Sequence, residues 1–311
     1  MDFPSQDFCA SQVLSPLATI IHLLVALLVA ASYLPQLIEI ATQKHTENIS
    51  GWYIILLTTS ASAHLAVRVK SVYGSMTWEC ILDGELRGYD AFSVLVIYLQ
   101  AFIHWAAAIV LLAVYVSFRT PPAAVSFTAS SSSPSNPVIL AIVLTHAAIV
   151  LPSAIYIIKR YVPMLSSEDD YDLIVHFGLS SMYGIFLRVT GVLTSLAAFI
   201  PQIHLMLSPA RSRDGNSNPG LVLGSGSLLS LGLQVIAFTT LAVAQGSVIS
   251  PLGEDWRAEI RKAQWWHQFL AYSGLGAGWL ALAFSQLVVL GVAVGVGGSS
   301  FGFGGSKIRL E

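Results

Sequence analysis

Seven long apolar stretches, separated by segments that hold most of the charge, constrain this chain more than any other feature. They run over residues 17–40, 52–72, 91–118, 137–158, 177–207, 220–245 and 266–294. At about 1.5 Å per helical residue, each can cross a hydrocarbon layer of about 30 Å. The fifth is overlong, and its crossing part is expected to begin near Tyr183. Composition agrees with a lipid solvent: 55% of residues are hydrophobic and 10% charged, against about 25% charged in soluble domains. A formal net charge of −2 gives no reason to expect nucleic acid or an acidic partner. No Lys or Arg precedes the first stretch, and its apolar run exceeds a signal-peptide core, so it is read as a mature span.

An internal repeat orders these stretches. Laying Tyr33-Leu34-Pro35-Gln36-Leu37 over Phe199-Ile200-Pro201-Gln202-Ile203 also puts His22 opposite Arg188, Leu27 opposite Leu193 and Ala31 opposite Ala197. Tyr98 to Trp105 and Tyr272 to Trp279 echo each other more weakly. A repeat of this size indicates duplicated bundles. A three-helix unit ends on the side opposite its start, so one additional crossing is needed for the second copy to insert in the same sense. The expected fold is therefore an all-α integral membrane protein, with seven transmembrane helices as two parallel three-helix bundles joined by a linker helix, 3+1+3. Its parts are an N-terminal tail (1–16), a first three-helix unit (17–118), a flexible Pro/Ser/Ala linker (119–136), the linker helix (137–161), a second unit with its lead-in loop (162–294) and a Gly-rich tail (295–311).

Each Pro-Gln pair is a candidate hinge. Pro35 and Pro201 donate no backbone hydrogen bond and crowd the preceding turn, while Gln36 and Gln202 can supply donors and acceptors to the groups left free. A static kink is the plainer reading of either proline alone.

Ionisable groups within spans are costly and often functional. His22, His64, His104, His146, Arg188 and His204 lie in or near the spans. His64 and His104, with Gln100 and Gln234 as neutral polar neighbours, are the candidates for a solute or proton pathway. Arg188 and His22 are further candidates, with snorkelling to the interface as the alternative. A hydrogen-bonded neutral core histidine is the plain alternative for the others. Trp78, Trp256, Trp265 and Trp266 fit interfacial anchoring. Cys9 and Cys80, the two cysteines, fall on one side of the membrane in this layout and can approach each other, which makes a disulfide and two separate thiols the competing readings. No nucleophile with a base, no paired intramembrane carboxylates and no metal-ligand spacing occurs, so neither an enzyme, a metal site nor a cofactor is expected.

Tyr33-Leu34-Pro35-Gln36 followed by Gln43-Lys44-His45-Thr46-Glu47-Asn48-Ile49-Ser50-Gly51-Trp52 resembles a PQ-loop repeat, and the second pair repeats it in a more degenerate form. That family takes in cystinosin, lysosomal amino-acid exporters and the SWEET sugar carriers. The resemblance implies a transporter of a small polar solute, an amino acid or related metabolite, working by alternating access in a vacuolar or lysosomal membrane. It further implies a lumenal N-terminus, a cytosolic C-terminus and cytosolic Pro-Gln loops, leaving the sequon at Asn48 unmodified. Two departures narrow it. The paired asparagines of the sugar carriers have no counterpart, which argues against a sugar. No acid lies in residues 220–245, which argues against carboxylate-driven proton coupling. A non-transporting receptor or cargo sensor of the same fold shares the span count, and a homo-oligomer is compatible with either function.

Overall fold

The computed structural model describes residues 9–10, 13–44, 46, 49–74, 77–118, 140, 142, 144–148, 170–207, 225–249 and 265–300. Eight helices are assigned among them: α1 (Pro16–Gln43), α2 (Gly51–Gly74), α3 (Thr77–Leu82), α4 (Tyr89–Phe118), α5 (Asp170–Ala197), α6 (Phe199–Leu207), α7 (Ser225–Ile249) and α8 (Trp265–Ser300). Among the described residues, five segments are long and apolar enough to cross a membrane: Pro16–Gln43, Tyr89–Phe118, Met182–Leu207, Ser227–Ala244 and Ala277–Val294. Described elements that are all helical, with these segments among them, are compatible with a multi-pass membrane protein. The linker, most of the expected fourth span, the loop after α6, Asn48 and Trp256 lie outside the described residues, as do the side chains of Trp78, Trp265 and Trp266.

α2 is not among the five. Its sequence Thr58-Thr59-Ser60-Ala61-Ser62-Ala63-His64, with Arg68 beyond, lowers its apolarity, yet Thr58, Ser60, Ser62 and Arg68 are all buried between helices. Polar surface turned inward this way is hidden from an average taken around the whole helix.

Local sequence explains the helix ends. Ser15 caps α1, its Oγ accepting from Ala18 N at 3.3 Å, with Pro16 in the first turn. α1 stops where Lys44 turns left-handed at φ 54° and its N–H closes on Ile40 O. Gly84, at φ +76°, makes the turn after α3, a conformation that suits a residue without Cβ. One expectation is corrected: helix α8 continues to Ser300, so residues 295–300 belong to it rather than to an unstructured tail. Gly295, Gly297 and Gly298 lie within it, each at a cost of about 1 kcal/mol relative to Ala.

Six rods form a closed ring. α1 packs on α4, α4 on α2, α2 on α5 and α6, these on α8, α8 on α7, and α7 returns to α1. The first helix of each half thus packs on the second helix of the other. Large apolar side chains cover the outside, including Leu17, Leu24, Leu27, Phe186, Leu193, Leu280 and Phe284, all exposed. Inside are Val25, Val29, Tyr33, Tyr53, Leu57, Phe238, Trp279 and Leu282 in one core, together with fully buried Ser, Thr, Gln and His side chains. An apolar outside around a core that also holds many polar side chains differs from the polar outside of a water-soluble bundle.

Candidate functional site

Three layers stack along the ring interior. The middle one is aromatic. His104, from α4, is fully buried, and its Nδ1 lies 2.9 Å from the Tyr33 hydroxyl of α1. Its ring stands edge-on to Phe238 and Trp279, with centroids 5.1 and 5.2 Å away, and 6.4 Å from His64. The imidazole of His64 sits in a slot between two backbones. A Cβ on Gly191 of α5 would fall 2.8 Å from its Cδ2, and one on Gly278 of α8 would fall 2.9 Å from its Cε1. Only glycine at both positions leaves room for that ring. Both nitrogens of His64 and the Nε2 of His104 are shielded from solvent and make no hydrogen bond.

The layer away from the Pro-Gln pairs is basic. Arg68 lies one turn beyond His64 on α2 and is 7% exposed. Arg188, half-buried on α5, lies one turn before Gly191. Ala63, Ala66 and Val67 pack against Leu187 and hold these two helices together at that level. Arg68 has Tyr98 and Arg188 as electrostatic neighbours. Gln100 donates from Nε2 to the His22 carbonyl at 2.8 Å and lies 2.9 Å from His22 Nδ1. His22 is 2% exposed, so snorkelling does not describe it.

At the Pro-Gln end the layer is built from amides and hydroxyls. Gln36, Tyr53, Gln202 and Ser227 line a small cavity with apolar neighbours. The Tyr53 hydroxyl donates to Gln286 Oε1 at 2.9 Å, while Gln286 Nε2 is buried without a partner. Two side-chain acceptors reach helix N-termini across the halves in opposite directions. Gln202 Oε1 accepts from Ser50 N at 2.8 Å, at the start of α2. Glu39 Oε2 accepts from Ser227 N at 2.6 Å and from Ser227 Oγ at 2.9 Å, in the first turn of α7. Each satisfies amides that a helix N-terminus leaves open.

The ring therefore brings His64 and His104 together, pairs His22 with Gln100, and places Gln36 and Gln202 at one end. Gln234 stays on its own helix, donating to Ser230 Oγ at 3.2 Å, while Ser230 Oγ donates to the Ser32 carbonyl of α1. His204 is exposed, and His146 Nδ1 lies 2.9 Å from the Ile142 carbonyl. Cys9 and Cys80 form a disulfide with Cα atoms 5.7 Å apart, packed among Leu86 and Val94. Sequence reasoning missed Arg68, Glu39, Tyr53 and Gln286. The one available signal was spacing: Arg68 follows His64 by one helical turn, and Glu39 follows Gln36 by nearly one. No group of three or more His, Cys, Asp or Glu able to bind a metal occurs among the described residues.

Comparison with protein-family models, with curated proteins and with solved structures found no match. The functional reading therefore rests on the residues themselves.

Proposed function

We propose that this chain is a PQ-loop-type integral membrane transporter of a small polar solute, with an amino acid or related metabolite as the starting class. In this reading the helices form seven spans, arranged 3+1+3 and related by an axis along the membrane normal. The Pro-Gln loops and C-terminus face the cytosol, the N-terminus faces the lumen, and the membrane is vacuolar or lysosomal. The supporting observation is the polar interior of the helix ring, where His64, His104 and Gln286 each keep at least one buried atom without a hydrogen bond. Each such atom costs about 1–3 kcal/mol, a cost that a passing solute or its water offsets when the ring opens. Alternating access would exchange the cross-half bonds of Glu39 and Gln202 at one end for contacts at the other. No catalytic role is assigned to any residue.

The test is uptake by the purified full chain in proteoliposomes, with labelled lysine, cystine, glutamate, succinate, phosphate and glucose as probes. Saturable uptake of at least one, absent from empty liposomes, is the expected result. Saturable binding of a probe without uptake of any would replace the carrier with a receptor of the same fold.

A further inference from the structure

We infer that His64 is a proton-sensitive latch of the helix ring: its neutral imidazole, set between α5 and α8, holds the ring closed, and a second proton on that imidazole releases it. The latch rests on the transporter reading for what its opening serves, but it can be tested without transport.

The latch is first a matter of shape. His64 stands on α2, in the first half, and its slot is made by Gly191 of α5 and Gly278 of α8, in the second. A Cβ on Gly278 would collide with His64 Nε2, and one on Gly191 would come within 3.0 Å of the same atom. Nε2 therefore faces the α-carbons of two helices, and the imidazole keys the first half into the second at the middle of the ring. The Trp279 ring of α8 lies beside it, with centroids 5.1 Å apart. No hydrogen bond holds the imidazole there, since neither of its nitrogens has a partner. His104 differs, because its Nδ1 is tied to the Tyr33 hydroxyl within the first half.

Chemistry then decides when the latch holds. A neutral imidazole has one N–H and one lone pair; a second proton makes both nitrogens donors and adds a charge. In the slot neither donor meets an acceptor, and an unmet donor on a charged group costs more than the about 1–3 kcal/mol of a neutral one. Out of the slot, water or a solute accepts both. Among the described residues, the other ionisable groups that the neighbouring helices bring toward this level are Arg68 on α2 itself, Tyr183 and Arg188 on α5, Tyr98 and His104 on α4 and, behind His104, Tyr33 on α1. None of them bonds a His64 nitrogen, and α7 and the described side chains of α8 carry no ionisable group. Linkage is reciprocal, so a proton that binds the released imidazole better than the seated one favours opening. The closed ring is held at high pH and lost as pH falls.

The test is the rate at which a methanethiosulfonate reagent labels the Ser285→Cys variant of the detergent-purified full chain. Ser285 is fully buried on α8, two turns beyond Gly278, and its Oγ makes no hydrogen bond that the change would remove. Rates are divided by those of a Ser117→Cys variant, at an exposed position, which cancels the reagent's own pH dependence. Between pH 8 and pH 5 the ratio rises about tenfold, the factor expected for one hydrogen bond to a charged group. Adding His64→Gln removes that rise, and adding His104→Gln leaves it. Gly278→Ala, which unseats the imidazole, brings the ratio at pH 8 close to the pH 5 value; Gly191→Ala serves if that variant fails to fold, and it keeps the test open if His64→Gln does. A ratio independent of pH, an equal rise with His64→Gln, or a pH 8 ratio unchanged by either glycine variant would each overturn the latch. A pH-dependent latch without uptake in proteoliposomes leaves the device standing and removes the transporter reading. Saturable uptake with a ratio independent of pH does the reverse.

Discussion

The two halves of the molecule carry the same Pro-Gln signature and treat it differently. In the first half Pro35 sits inside α1, which continues unbroken from Pro16 to Gln43. In the second, the helix stops at Ala197, turns through Ala198 and resumes as α6 at Phe199, two residues before Pro201. Both prolines deprive a carbonyl four residues earlier of its donor, so the proline alone does not decide the outcome. The upstream residues do. Thr194 Oγ1 donates to the Thr190 carbonyl at 2.7 Å, and Ser195 Oγ to the Gly191 carbonyl at 2.6 Å. Ser60 of α2 also donates to that Gly191 carbonyl. Hydroxyls that bond back onto their own helix weaken and bend it, and Gly191 adds backbone freedom. Upstream of Pro35 the run Leu27-Leu28-Val29-Ala30-Ala31 has only one such hydroxyl after it, Ser32 on the Val29 carbonyl.

The halves also differ at the end away from the Pro-Gln pairs. The first is tied there by the Cys9–Cys80 disulfide, by Ser93 accepting from Leu14 N, and by the Thr19 and Tyr89 hydroxyls 2.8 Å apart. The second half has no cysteine. We expect the first half to act as the stiffer frame and the second as the half that bends.

The largest expected effect that tests this contrast is on the disulfide. It closes a loop of 71 residues, and chain entropy assigns such a loop about 4 kcal/mol as an upper value. Cys9→Ser with Cys80→Ser should lower stability in a mixed-micelle denaturant titration by up to that amount. A double variant as stable as the parent would remove the stiff-frame account.

Next comes Glu39, whose carboxylate holds the N-terminus of α7 through two bonds. Glu39→Ala should cost about 2 kcal/mol in the same titration, whereas a cost near zero would show that this tie between the halves is dispensable.

The prolines themselves give the third contrast. Pro201→Ala restores an N–H able to reach the Ala197 carbonyl, and amide exchange over residues 196–202 should slow about tenfold, corresponding to about 1.4 kcal/mol. Pro35→Ala, in a helix already continuous, should slow exchange over residues 31–37 by less than about threefold. Equal slowing at both sites would mean that the upstream hydroxyls do not matter.

The smallest effect concerns Gln202, which offers Ser50 N a single neutral bond. Gln202→Ala should cost about 1 kcal/mol and rank below Glu39→Ala. The reverse ranking would make the second half, not the first, the one that supplies the stronger cross-tie.

Much of this was legible in the residues. Apolar length alone marks the long helices, because a span must bury every backbone group within itself and outnumber its polar side chains. The alignment of Pro35 with Pro201 placed both glutamines at one end, and chain direction kept Cys9 and Cys80 at the other. The cost of an ionisable group within a span also marked His64 and His104 as candidates for a polar pathway. That cost could not show that Arg68 is buried, since a basic residue near the end of a span reads equally well as one that snorkels.

What the sequence by itself determined is therefore the helical, apolar character of the chain and the shared end of its two motifs, because these depend on local length, hydropathy and direction. Tertiary structure alone decided which polar groups meet. His64 fits between Gly191 and Gly278, Glu39 reaches Ser227, and Arg68 faces the level of Arg188 only because the ring packs each half's first helix against the other half's second, a pairing between distant segments that no local pattern encodes.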